Sequence, residues 1–150
     1  MIKVICVGSI KEKSLITLVE EYLKRIKKYT KIEIIEVKDF DYNLNDTLAS
    51  EGSLILKHIS DKDYVITLEV DGNELDSIEF AEKIRLTQIK YSNITFVIGG
   101  SYGLDQSIKN RSNYKLSFSK LTFPHQLFRL ILLEQIYRTF KIINNESYHK

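Results

Sequence analysis

Short runs rich in β-branched residues alternate with longer segments of helical spacing along most of this chain, and that alternation fixes the fold class before any other feature is consulted. Ile2–Val7 is apolar at all but one position and ends at Gly8, the pattern of a strand buried on both faces. Ile32–Val37, residues 64–70 and Ile94–Ile98 read as three further strands. Between the first two, Leu15, Leu18, Val19, Tyr22, Leu23 and Ile26 recur at three- and four-residue steps. Lys24, Arg25, Lys27 and Lys28 crowd the negative end of that helix dipole. Residues 43–59 carry helical spacing through Leu48, Leu54, Ile55 and Ile59, weakened by Gly52, and residues 77–91 through Ile78, Phe80, Ala81, Ile84 and Leu86. Asp71-Gly72-Asn73 reads as the turn that closes the third strand. Parallel strands need crossovers of a dozen or more residues, and helices fill them. The expected fold class is α/β, a mainly parallel sheet with flanking helices, in one domain over residues 1–150. Ligands of such sheets bind beyond the carboxyl ends of the strands, which directs attention to the segments after strands three, four and five.

Composition narrows the function by exclusion. Cys6 is the only cysteine, so a disulfide scaffold is impossible, and inside the first strand it reads as a small core residue of a reducing compartment. No apolar run approaches the roughly 18 residues of a membrane span. The first strand is too short for a signal sequence, so the cytoplasm is the expected location. The three histidines are far apart in sequence and no metal site is expected; His58 reads as a surface or helix-end residue. Net charge is +2, yet residues 1–85 hold 13 Lys and Arg against 17 Asp and Glu, whereas residues 86–150 hold 9 against 3. The second part is the one suited to meeting an anion.

That part also gathers the special residues. Three of the six glycines fall in Gly99-Gly100-Ser101-Tyr102-Gly103, where backbone amides can approach a ligand and positive φ is allowed. Neither the dinucleotide fingerprint nor the Walker phosphate loop fits this spacing. A short strand from Tyr114 to Ser119 leads into Lys120-Leu121-Thr122-Phe123-Pro124-His125, with Thr122 as the expected N-cap and the only proline in the first helical turn. Residues 117–124 therefore form a shaped loop feeding a helix N-terminus, with free backbone amides for a ligand. The helix, over about 125–142, is apolar nearly all round, through Leu127, Phe128, Leu130, Ile131, Leu132, Leu133, Ile136, Tyr137 and Phe140. Such a helix is either enclosed within one domain or buried on its second face by a partner chain, most simply in a two-fold homodimer. The tail Tyr148-His149-Lys150 either frays or folds back over the glycine loop of its own chain or of a partner.

Thr67-Leu68-Glu69, the run from Phe96 to Leu104, the stretch from Leu116 to Arg129 and terminal Tyr148-His149-Lys150 together closely resemble the ribosomal RNA large subunit methyltransferase H family, in order, in spacing and over the whole chain. Members are small SPOUT-class enzymes that methylate N3 of a pseudouridine in large-subunit ribosomal RNA. The resemblance implies a SPOUT-type fold whose C-terminal part is threaded as a trefoil knot, an exception to the rule against knots. It implies S-adenosyl-L-methionine as methyl donor, held by Leu68, Gly99, Gly100, Ser119, Lys120, Leu121, Thr122, Phe123 and Pro124. It further implies a homodimer whose active site draws on both chains. Family members often carry proline just before the Tyr-His pair, and Ser147 stands there in this chain, which implies a less rigid tail before binding.

The implied chemistry is in-line attack of a uracil nitrogen on a sulfonium methyl group, with loss of the ring N–H proton. Near-attack positioning of the two reactants lowers much of the barrier. His149 is the expected base and His125 the alternative. Tyr148 is suited to stacking on or hydrogen-bonding the base, and Arg129, Arg138 and Lys150 to holding phosphates or the developing imide oxyanion. A modest basic excess without an appended RNA-binding domain points to recognition of an assembled ribosome rather than naked RNA. Two other readings keep the fold: a SPOUT enzyme for transfer RNA or another ribosomal position, and a ribosome-binding module without turnover. The intact glycine loop, 119–124 loop and tail argue against the last.

Overall fold

Strand β1 (Ile2–Val7) is buried at every position because it sits inside the sheet, paired in parallel with β2 (Ile32–Val37) on one side and β4 (Ile94–Ile98) on the other. Five parallel strands in the order β2-β1-β4-β3-β5 form the sheet of this computed structural model, which describes residues 1–150; β3 spans Tyr64–Glu74 and β5 Tyr114–Ser117. Helices α1 (Lys13–Ile26), α3 (Ser77–Lys90) and α5 (His125–Ile143) cover one face, and α2 (Leu44–Leu56) and α4 (Gln106–Arg111) the other. The two faces hold separate cores. Along β1, Val4 and Cys6 enter the core under α1, α3 and α5, while Ile5 and Val7 enter the other, as a period of two requires. Burial pushes the Cys6 thiol up to about 12, although the nearby Arg129 charge works against it. No helix is long and apolar enough to cross a membrane.

Several local expectations change. The 71–73 turn is absent: β3 continues to Glu74 after a slip of register in which Leu68 and Asn73 both oppose Leu116, so that residues 69–72 bulge outward. Gly72 makes this feasible, since a Cβ there would lie 2.8 Å from the Leu116 carbonyl carbon, and the Asn73 amide secures the re-entry by donating to the Lys115 carbonyl at 3.1 Å. Ile78 and Leu86 are exposed rather than core. The short helix α4, capped by the Asp105 side chain on the Ser107 N–H, is too brief to show a period in sequence. Thr122 does not cap α5: the helix starts at His125, Pro124 occupies the N-cap without a side-chain bond, and its carbonyl takes the Phe128 N–H.

Candidate active site

Beyond the carboxyl ends of β3, β4 and β5 lies a cavity of about 280 Å³, built by three loops and the first turn of α5. The β3 bulge contributes Leu68, Glu69 and Val70. The loop after β4 contributes a glycine turn closed by the Gly103 N–H on the Gly100 carbonyl at 3.1 Å, with Gly103 at φ 83°. A Cβ on Gly99 would fall 2.3 Å from the Gly103 carbonyl oxygen, so the turn closes only around glycine. After β5, the Ser119 hydroxyl accepts the Leu121 N–H at 3.0 Å, while the N–H groups of Lys120, Thr122 and Phe123 find no acceptor within the chain. Phe118 packs edge-on against Phe128, and Phe123 stacks on Phe128 at 5.7 Å, giving the cavity an aromatic wall.

The tail is folded back along α5. Asn145, at φ 54°, reverses the chain just past the helix, and the Glu146 carboxylate is then fixed by Lys141 Nζ at 2.7 Å and the Tyr29 hydroxyl at 2.9 Å. Tyr148 returns against Tyr137 and donates to Glu134 Oε1 at 3.0 Å. The Arg138 guanidinium lies 4.8 Å over the Tyr148 ring, binds the same Glu134 oxygen through Nη2 at 2.6 Å and reaches His149 Nδ1 at 3.2 Å. A guanidinium only donates, so Nδ1 is the acceptor and a neutral His149 ring carries its proton on Nε2. Burial first, then hydrogen bonding toward Tyr22 and Glu134, pushes the Tyr148 phenol well above its ordinary value, which keeps it a hydrogen-bond donor.

Of the residues singled out in sequence, Leu68, Gly99, Gly100, Ser119, Leu121, Thr122, Phe123 and His125 line the cavity together. Lys120 and Pro124 shape its loop without lining it. Arg138, Tyr148 and His149 form the second cluster, with His149 bordering a neighbouring hollow that shares only Leu116 and Phe118 with the first. Within one chain, therefore, the tail does not cover the glycine turn. Arg129 joins neither group. It is 2% exposed, bound to Glu36 at 2.7 Å and to the Gly8 carbonyl at 3.1 Å, because its position on α5 faces the ends of β1 and β2. Sequence reasoning missed Glu69, Val70, Phe118 and Phe128, since a bulge leaves no periodic signal and a phenylalanine lining a cavity reads like one in a core. No three His, Cys, Asp or Glu side chains are placed to hold a metal ion.

A parallel α/β sheet with a glycine turn and an open amide loop meeting over its carboxyl edge defines the class of this protein, and comparison with known proteins agrees. Residues 1–149 match the family described as Predicted SPOUT methyltransferase. A solved structure titled as a probable methylase family protein from Haemophilus influenzae Rd KW20 shares the fold, with a TM-score of 0.57 over 99% of this chain and 70% of that one at 16% identity. Proteins named ribosomal RNA large subunit methyltransferase H are 54% identical in Clostridium tetani (99% of both chains covered) and 51% identical in Caldicellulosiruptor saccharolyticus (100% of both). The chain belongs to the SPOUT methyltransferases and, within them, to the ribosomal RNA large subunit methyltransferase H family.

Proposed function

We propose that this protein transfers a methyl group from S-adenosyl-L-methionine to N3 of a pseudouridine in large-subunit ribosomal RNA, working as a homodimer on assembled ribosomes in the cytoplasm. The observation that carries this reading is the cavity at the carboxyl edge, where unmet backbone N–H groups, a glycine turn and an aromatic wall converge. These features fit the donor: Thr122 and Phe123 offer N–H groups to its polar atoms, Phe118, Phe123 and Phe128 offer faces and edges to its purine, and Gly99 and Gly100 let the backbone come close, while Lys120 and Pro124 shape the loop that holds it. When bound, the sulfonium supplies an electrophilic methyl carbon, and its C–S bond breaks as the N3–C bond forms.

The chain's own residues then have to manage the N3 proton and the charge left on the ring. His149 is the base, but its only free lone pair is held by Arg138. As the RNA enters, Arg138 turns to the developing imide oxyanion or a flanking phosphate, which frees Nδ1 to accept the proton. Glu134 and Tyr148 keep Arg138 within reach during this exchange. His149 and the donor cavity lie on opposite sides of Phe118, and Leu127 is 42% exposed beside the half-buried Leu130 and Ile131 on the outer face of α5. A second copy seated on that face would cover this apolar surface and complete the site with its own tail.

The test is calorimetric titration with S-adenosyl-L-methionine, followed by mass-spectrometric mapping of methyl groups on ribosomes and on deproteinised RNA. Saturable donor binding and an N3-methyl pseudouridine formed faster on ribosomes are expected. Absence of binding at millimolar donor sinks the methyl-transfer reading, and equal rates on both substrates defeat the preference for the assembled particle.

A further inference from the structure

A smaller cavity, of about 90 Å³, opens at the carboxyl ends of β1 and β2 and shares Gly100, Ser101 and His125 with the donor cavity. It lies on the side of the glycine turn away from Phe118. Glu51, from α2, is 4% exposed and lines this space. Its Oε1 takes only a long bond of 3.4 Å from the Phe40 N–H, and its Oε2 has no donor within the chain. A Cβ on Gly100 would stand 3.4 Å from that Oε2, so a glycine at this position leaves the space beside the carboxylate open. Oε2 is not sealed off, since the cavity leaves it accessible to an entering N–H. Aromatic rings flank the cavity: Phe40 lines it and packs on Tyr42, and Tyr102, 51% exposed, lines it from the glycine turn. An acceptor beside aromatic faces is the arrangement that binds an unstacked base through ring stacking and an N–H hydrogen bond.

We infer that this cavity receives the target ring, with Glu51 accepting the hydrogen bond of its N1–H, and that Glu51 thereby selects pseudouridine over uridine. The inference rests on the reaction proposed above. Pseudouridine is attached to ribose through carbon, so its N1 keeps a proton; in uridine N1 is the atom bonded to ribose and has none to give. A uridine in this cavity leaves Glu51 unmet, and sites built to pair a polar group reject analogues that lack it. The border with the donor cavity at Gly100, Ser101 and His125 puts the ring beside the methyl source. Burial, then the charge of Asp39, raises Glu51 above the ordinary carboxylate range, consistent with a side chain that gains from meeting an N–H. The donor's ammonium group offers the same N–H chemistry, and the experiment separates the two sources.

The experiment compares wild type with Glu51→Ala on ribosomal subunits carrying either pseudouridine or uridine at the target position, with the dissociation constant for S-adenosyl-L-methionine measured in parallel. The expected result is a fall of about ten- to a hundredfold in kcat/KM on the pseudouridine subunits, the range for one hydrogen bond to a charged group. Little change on uridine subunits and unchanged donor affinity complete the expectation. An unchanged pseudouridine-to-uridine ratio overturns the inference. Weakened donor binding with the ratio preserved also overturns it, in favour of the ammonium. Should Glu51→Ala fail to fold, Tyr102→Ala at the exposed rim is expected to raise KM for the pseudouridine subunits without altering donor affinity, and an unchanged KM overturns the placement of the ring. Wild type that binds donor yet leaves pseudouridine subunits unmethylated overturns the reaction itself, and this inference with it.

Discussion

At the amino ends of the strands, Lys3 pairs with Asp63 at 2.5 Å and donates to the His58 carbonyl at 2.9 Å, while Asp63 also accepts from Thr95, Asn93 and the Ser60 N–H. Arg111 closes the group by donating to the carbonyls of Ser60 and Asp63. At the carboxyl ends, Glu51 Oε2 and the N–H groups of Thr122 and Phe123 stand open beside cavities. Both ends bring polar groups out of bulk water; the amino end meets them from within, whereas the carboxyl end pairs Arg129 internally and leaves the groups around the cavities open. An internally paired end holds the sheet together, whereas an unpaired end gives up stability and keeps its hydrogen-bonding capacity for a ligand.

That contrast can be broken from either side. The largest effect is expected from His149→Ala, with single-turnover methylation at saturating RNA falling about a hundred- to ten-thousandfold while urea denaturation and donor affinity stay as in wild type. An unchanged rate would remove the proton transfer from the tail, and His125→Ala would then be the variant to measure. At the opposite end, Asp63→Ala leaves a buried ammonium unpaired and is expected to cost about 3–5 kcal/mol of stability, read by urea denaturation, with donor affinity of the folded fraction unaffected. Asp63 also gives a pH signature. Burial opposes its charge, but Lys3 and the surrounding donors outweigh burial and hold its carboxyl below the usual range. Its contribution is therefore fully present above the unfolded value of about 3.9 and is lost as pH falls through the lower folded value. Asp63→Asn should flatten that acid limb of stability, and a limb of unchanged steepness would assign it to other carboxylates.

Smaller effects test the finer geometry. Gly99→Ala forces a Cβ against the Gly103 carbonyl, an overpacking cost of about 1–3 kcal/mol that calorimetry should register mainly as lost donor affinity. If affinity holds while only stability drops, the glycine turn serves folding alone. Arg129→Lys keeps the charge but gives up the fork that joins Glu36 to the Gly8 carbonyl. A loss of about 1–2 kcal/mol in stability with normal turnover is expected, and loss of turnover in a fully folded variant would return Arg129 to the RNA.

Much of this organisation was legible in the residues themselves. β-Branched runs, helical spacing and the dipole-end lysines determined a parallel α/β sheet, because strand and helix periods are local properties of the chain. The glycine cluster and the lone proline marked two of the three loops around the donor cavity, because both residue types advertise unusual backbone. The tertiary structure alone decided the rest. Arg129 and Arg138 are alike in sequence, yet burial commits one to Glu36 and leaves the other beside His149. Residues 71–73 carry turn chemistry, yet pairing with β5 draws them into a bulge. Glu51 reads as one more helix acid until Gly100 arrives beside it from 49 residues away. In each case the deciding contact comes from residues distant in sequence, which no local pattern carries.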